Sequence, residues 1–373
     1  MMQSRRDFIT GAGAAAVAGV ALPSFAEAKG KPLYGMLLHL GMNMWCDKPC
    51  PRPTDEKGKY TPPQKMLEKW GPIYLEAKRF SGKADFLRFD ETCWRYTTGR
   101  MRDFGMNFVM IDLGEGVVYP SHPELAVKGS WTPEKLRAEL KRLREMGLEP
   151  IPKLNFSTTH DAWLGDYERM VSTKKYYGVV SDLIKDVCEL FDHPRFFHLG
   201  YDEEDYDHQW NHLYAAVRQG ELWWHDCLYT VREVEKHGVR AWIWSDKIWK
   251  HRDEFCKRMP KTVLQSNWYY LGDFDPGEKS GLYPMVHAYD WLEEGGYDQV
   301  PCCSSCGDWR VRDYNNPLLT LQYCRDKAHV KPERLKGLMM APWCQTRDFT
   351  RPYLDDALEL MPPAKKFMDE WLG

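Results

Sequence analysis

From Tyr34 onward, short apolar runs alternate with longer stretches in which apolar residues return every three or four positions. Continuous runs fit strands buried on both faces, and the longer recurrence fits helices packed by one face. The order therefore reads as repeated βα units around a mostly parallel sheet. The strands it predicts span 35–40, 107–112, 149–154, 196–200, 240–244, 262–266, either 283–288 or 299–302, and 337–341. Eight of them point to an α/β fold, a closed (β/α)8 barrel in a single domain. One helix is marked at both ends: Thr132 as N-cap, Pro133 at the first helical position, and Gly147 as the stop. Leu136, Leu140, Leu143 and Met146 fall on one of its faces. A second helix, 177–191, runs directly into the strand FFHLG.

The first residues break this pattern. Arg5 and Arg6 precede an apolar run, GAGAAAVAGVAL, and then Ala26-Glu27-Ala28. That order reads as an export signal of the twin-arginine type over residues 1–28, with the barrel in 29–373 and a periplasmic or secreted destination reached folded. No later stretch is apolar for long enough to span a bilayer, so no membrane insertion is expected after cleavage. A net charge of −3 without a basic run excludes the field that attracts nucleic acid. Sixteen tryptophans suit stacking on sugars as well as core packing. Eleven cysteines, an odd number, argue against a fully paired framework. Cys302-Cys303-Ser-Ser-Cys306 has no second cluster at ligand spacing, so neither a metal nor a cofactor is implied. The longest irregular stretch, about 46–85, is rich in proline and lysine. It follows strand one on the face where barrels keep their sites, as a substrate wall or as a plain surface insertion.

The richest stretch is FFHLGYDEED, residues 196–205, which delivers four acids directly after an apolar strand. Adjacent carboxylates repel and resist desolvation, which leaves an exposed acidic loop, a cation site or a catalytic pair. Asp202 and Glu203 cannot both face inward on a regular strand, but both can where the chain peels away after Gly200. Catalytic residues of barrel enzymes come from such strand ends.

His198-Leu199-Gly200-Tyr201-Asp202-Glu203 resembles the H-x-G-G-D-E motif of glycoside hydrolase family 20, the β-N-acetylhexosaminidases. The flanks are similar in order: the helix and strand of 176–204, YPSHPEL, WTPEKLRAELKRLREMGLEPIPKLNFSTTH, EKHGVRAWIWSDKI and LKGLMMAPWCQT. The resemblance implies a retaining mechanism in which the substrate's own acetamido group is the nucleophile. Asp202 would orient that group, and Glu203 would protonate the leaving oxygen and then serve as base. Glu203 would then keep a proton near neutral pH while Asp202 stays ionised. His160 falls at the family's histidine after strand three, and Trp244 and Trp343 fall where the family walls its sugar. Tyr289, or else Tyr297, stands for the tyrosine that holds the acetamido group. His198 would support the acids from beneath, or be an ordinary strand histidine.

The chain departs from the family at three points. GMLLHLGMNMW offers Met42 and Asn43 where strand one usually carries an arginine, Tyr201 replaces a glycine, and no room is left for the family's N-terminal domain. Asp112 and Glu115 read as sugar ligands or as a turn around Gly114 and Gly116, and Asp246 reads as a ligand for a hydroxyl. Two further readings stay open. One is a metal-dependent hydrolase built on His198, Asp202, Glu204, Asp207 and His208; the other is a carbohydrate-binding barrel without catalysis.

Overall fold

The computed structural model of the chain describes residues 31–49, 82–305 and 314–373. The expected export segment, most of the proline-rich stretch and Cys306 lie outside the described residues. Eight parallel strands form one sheet: β1 (Leu33–His39), β2 (Phe108–Asp112), β3 (Glu149–Lys153), β4 (Phe196–His198), β5 (Arg240–Trp244), β6 (Leu264–Ser266), β7 (Cys302–Cys303) and β8 (Gly337–Met340). The helices that follow them are α1 (Glu91–Asp103), α2 (Pro133–Glu145), α3 (Lys174–Leu190), α4 (Glu221–Glu235), α5 (Lys247–Arg258), α6 (Tyr283–Glu294), α7 (Asn316–Asp326), α8 (Arg351–Glu359) and α9 (Met361–Leu372). The sheet runs β6-β5-β4-β3-β2-β1-β8-β7. Bridges Gln265–Gln299 and Trp268–Cys302 join its two edges into a barrel. Among the described residues, no helix is long and apolar enough to cross a membrane.

Of the two candidate seventh strands, the segment near 299–302 supplies it. Residues 283–288 instead open α6, because Pro284 in the first turn starts a helix and cannot donate to a ladder. On the strands, side chains alternate as the apolar runs require. Leu33, Leu37, Phe108, Met110, Trp242, Trp244 and Met339 fill the barrel interior. Met36, Leu38, Val109, Ile111, Ala241, Ile243 and Met340 face outward into the layer shared with the helices. Gly35 lies on the inward series, where a Cβ would come within 2.1 Å of the Phe108 carbonyl oxygen. The glycine gives the space that Phe108 fills. α2 matches its sequence signals, with Thr132 accepting from the Lys135 amide and Leu136, Leu140 and Leu143 buried.

Toward the C-terminal mouth the inward series turns polar. Lys153 is fully buried, and its Nζ donates to Asp112 Oδ2 at 2.7 Å, while His39 Nδ1 lies 3.2 Å from the same oxygen. Burial alone would raise the Asp112 carboxyl, but the Lys153 charge and His39 hold it below its ordinary value. This ionic layer is the floor on which the site stands. Asp112 is thus a floor residue, its carboxylate taken by Lys153, and not the sugar ligand that the sequence offered.

Candidate active site

Directly above the floor, β4 ends and the chain twists through a run of left-handed residues: Gly200 at φ 74°, Tyr201 at 72° and Glu203 at 55°. For the two non-glycine residues such backbone costs on the order of 1 kcal/mol each and persists only where the surroundings dictate it. Here they do. Asn155 Oδ1 accepts from the Tyr201 and Ser157 amides, and Ser157 Oγ and Thr159 Oγ1 donate to the carbonyls of Asp202 and Glu203. The Glu203 amide donates to Asp246 Oδ2 at 2.9 Å. Gly200 is pressed onto Asn155 so closely that a Cβ would lie 1.9 Å from its Oδ1. The twist breaks the alternation of the strand, and both acids meet His160.

Asp202 is buried, accepts from Asn155 Nδ2 at 2.7 Å, and lies 3.3 Å from His160 Nε2. Burial pushes its carboxyl up, but the charge and hydrogen bond of His160, with Lys153 below, bring it well under the usual carboxylate range. It stays ionised, as an orienting carboxylate must. Glu203 Oε2 lies 3.2 Å from His160 Nε2, and Glu203 Oε1 lies 3.3 Å from His208 Nε2. Against expectation, the Glu203 carboxyl is lowered: burial raises it, but the two histidines outweigh burial. The proton expected on the glutamate is held beside it. For His160, burial opposes charge, yet Asp202 and Glu203 together raise it to about 10.

That inversion has a measurable consequence. The folded-state value of His160 lies above its ordinary 6.5, so its stabilising pairing is complete below about pH 6.5 and is lost as pH climbs toward about 10. The midpoint of thermal unfolding should fall across that window, and in His160→Gln the alkaline fall should flatten. An equally steep fall in the variant would show that another group causes it.

His160, Asp202 and Glu203 present ligand-type atoms within 4.8 Å of one another. A divalent cation could bind them only by displacing the proton on His160. The wider metal set does not converge. Glu204 is taken by Arg218, which donates to it from Nε and from a terminal nitrogen at 2.8 and 2.6 Å. Asp205 caps the helical turn Tyr206–Gln209, and Asp207 is exposed.

A chain of four half-buried rings begins at His160. Trp45 meets His160 edge-on at 5.3 Å and Trp343 at 5.7 Å. Trp343 Nε1 donates to the Tyr270 hydroxyl at 3.0 Å, and Tyr270 stacks on Trp268. Trp244 lies below, buried in the barrel, 5.8 Å from Trp343. It packs the pocket from beneath and does not line it. On the other flank of Glu203, a cleft of about 490 Å³ runs past Asp246, His208, Lys247 and Trp249. Burial, and then the charge of Asp202, raise Asp246 to about 7, and its Oδ1 is buried without a hydrogen-bond partner.

Glu115 and the tyrosines depart from expectation, whereas His198 lies where a support beneath the acids would. It is fully buried under Trp244 at 4.4 Å, and burial holds it neutral. Glu115 is buried and accepts from the Met42 and Asn43 amides, fixing the chain after β1. Tyr289 lies on α6, buried in the outer layer, and Tyr297 donates to the carbonyls at the end of α5, so neither reaches the acids. A tyrosine that does join the rings beside His160 is Tyr270, in the NWYY run just past β6. Asn155, directly after β3, and Lys153, on the inward register of the same strand, were also missed. Their strand positions were the available signal.

No protein-family model and no curated protein matches the chain. Solved structures do. A β-N-acetylhexosaminidase from Bacteroides fragilis aligns at 14% identity over 72% of this chain and 62% of its own, with a TM-score of 0.51. A Flavobacterium johnsoniae chitobiase aligns at 17% identity over 76% and 48%, with a TM-score of 0.53. The family 20 β-N-acetylhexosaminidase of Streptomyces coelicolor aligns at 12% identity over 91% and 70%, with a TM-score of 0.52. The chain spans less than two thirds of the first two structures. At these identities the likeness is one of fold: the chain has the (β/α)8 barrel of the family 20 hexosaminidases.

Proposed function

We propose that the chain is an exported glycoside hydrolase that cleaves the bond beside an N-acetylated amino sugar, with retention of configuration and with the acetamido oxygen as nucleophile. The observation that carries this reading is the pairing of Asp202 and Glu203 at the end of β4, one carboxylate locked ionised and the other within reach of two protonated histidines. In the proposed reaction, Asp202 accepts from the acetamido N–H and steadies the positive charge that grows as its oxygen attacks C1. The Tyr270 hydroxyl, which accepts from Trp343 Nε1 and feels the charge of Asp202, is proposed to hold the acetamido group. Trp343 and Trp45 give faces on which the sugar ring stacks and exclude water. Glu203 protonates the departing oxygen, and then takes a proton from the water that opens the cyclic intermediate. The paired arginines near the N-terminus support export by the twin-arginine route to the periplasm or beyond.

Arg88 does not restore the arginine that is absent from β1. Its guanidinium is buried and donates to the Met42 carbonyl and the Asn43 side chain. The contacts to the sugar's outer hydroxyls therefore differ from the family's.

The test is release of sugar from N-acetylglucosaminides, N-acetylgalactosaminides and their non-acetylated counterparts after exhaustive EDTA treatment. Turnover confined to acetamido sugars and indifferent to the chelator is expected. Equal turnover of non-acetylated sugars would discard the acetamido nucleophile, and binding without turnover would discard the hydrolase.

A further inference from the structure

We propose that Asp205 and His208 form a proton-holding dyad for Glu203, keeping one proton at its Oε1 between turnovers and passing it on when a glycosidic oxygen arrives. The inference rests on the reading of Glu203 as general acid, and it accounts for the proton that Glu203 itself does not keep.

His208 sits between two acids. Its Nδ1 donates to Asp205 Oδ1 at 2.7 Å, its own amide donates to the same oxygen at 3.0 Å, and its Nε2 faces Glu203 Oε1 at 3.3 Å. The ring is thereby oriented with one N–H anchored and the other aimed at the acid, the arrangement by which a carboxylate fixes a catalytic imidazole. Asp205 is itself steadied by Lys250 Nζ, 3.3 Å from Oδ2. The other charged or titratable groups around the cleft are His160 across Glu203, the paired Glu204 and Arg218, and Asp246, Lys247 and His251. Contact with Glu203, then Asp205, raises His208 to about 9.

His160 cannot do this work. It is buried, shared with Asp202, and needed as a cation to keep Asp202 ionised. The His208 side chain is 44% exposed, which leaves its ring open to proton exchange with solvent.

The proton leaves His208 Nε2 for Glu203 Oε1, and the carboxylic acid so formed gives a proton to the glycosidic oxygen as the C1–O bond breaks. His208 is then neutral and Glu203 ionised. In the second half, water adds its oxygen to C1 and gives a proton to Glu203, from which His208 Nε2 is reloaded. The cycle closes without net change in either residue.

The experiment has two arms. The first is the pH profile of kcat and kcat/KM on an acetamido glycoside for the native chain, His208→Gln and Asp205→Asn. In His208→Gln, kcat should fall about tenfold or more with KM held, and the alkaline limb should move down by about one pH unit. Asp205→Asn should move it the same way by less. An unmoved limb would reduce His208 to a structural role, and an upward shift would make it a suppressor of the Glu203 proton; either overturns the proposal. The second arm is NMR titration of ¹⁵N-labelled histidines without substrate. His208 should titrate near 9 in the native chain and fall toward 6.5 in Glu203→Gln. An ordinary value in the native chain sinks the dyad whatever the activity. A native chain that turns over no glycoside while His208 titrates high refutes the hydrolase and leaves the dyad standing.

Discussion

Glu203→Gln is expected to lower kcat on an unactivated N-acetylglucosaminide by about a thousandfold while leaving KM nearly unchanged. Glutamine keeps the size of the side chain and its place between His160 and His208, but it carries no proton for the leaving oxygen and accepts none from water. The interaction lost exists only in the transition state, so the loss falls on kcat. A nitrophenyl leaving group departs without a proton and should narrow the gap. Added azide attacks without giving up a proton and should speed the variant but not the native chain. A variant with native kcat would remove Glu203 from the chemistry.

The largest expected loss of stability follows Lys153→Met. Lys153 and Asp112 are both buried in the barrel and paired at 2.7 Å, so removing the lysine leaves a buried carboxylate with only His39 beside it. Breaking a buried pair from one side costs about 3–5 kcal/mol, while replacing both partners by apolar groups of similar volume is often close to neutral. Urea unfolding should therefore show a large drop for the single variant and recovery of most of it in Lys153→Met/Asp112→Leu. A single-variant loss of about 1 kcal/mol or less, the range of exposed pairs, would mean that water reaches the floor.

The barrel was legible because its strands are continuous apolar runs and its helices recur at helical spacing, as in Phe108–Asp112 against α2. The seventh strand was not, because two ladder residues leave too little pattern and a neighbouring apolar segment competes. That ambiguity carried over to the tyrosine, since Tyr289, sought after strand seven, lies on α6. Asp202 and Glu203 stood out because acids seldom follow directly on an apolar strand. The charge state of Glu203 did not. It depends on His160 from the loop after β3 and on His208, five positions past Glu203 in sequence, brought back by the Asp205 cap. Asn155 was invisible for a similar reason, since its value lies in touching Gly200, Tyr201 and Asp202 at once.

The closure of the barrel is uneven. β6 and β7, three and two residues long, meet only through isolated bridges, whereas β1 and β2 share a five-residue register. Trp268 and Tyr270 hang from the thin side, while the segment of the acids past β4 is anchored by Asn155 and Asp246, from the chain just past β3 and β5. A substitution among the aromatic rings thus leaves the two carboxylates held where they are. On the proposed reading, the ring-bearing side can be recut to suit another sugar without disturbing the acids.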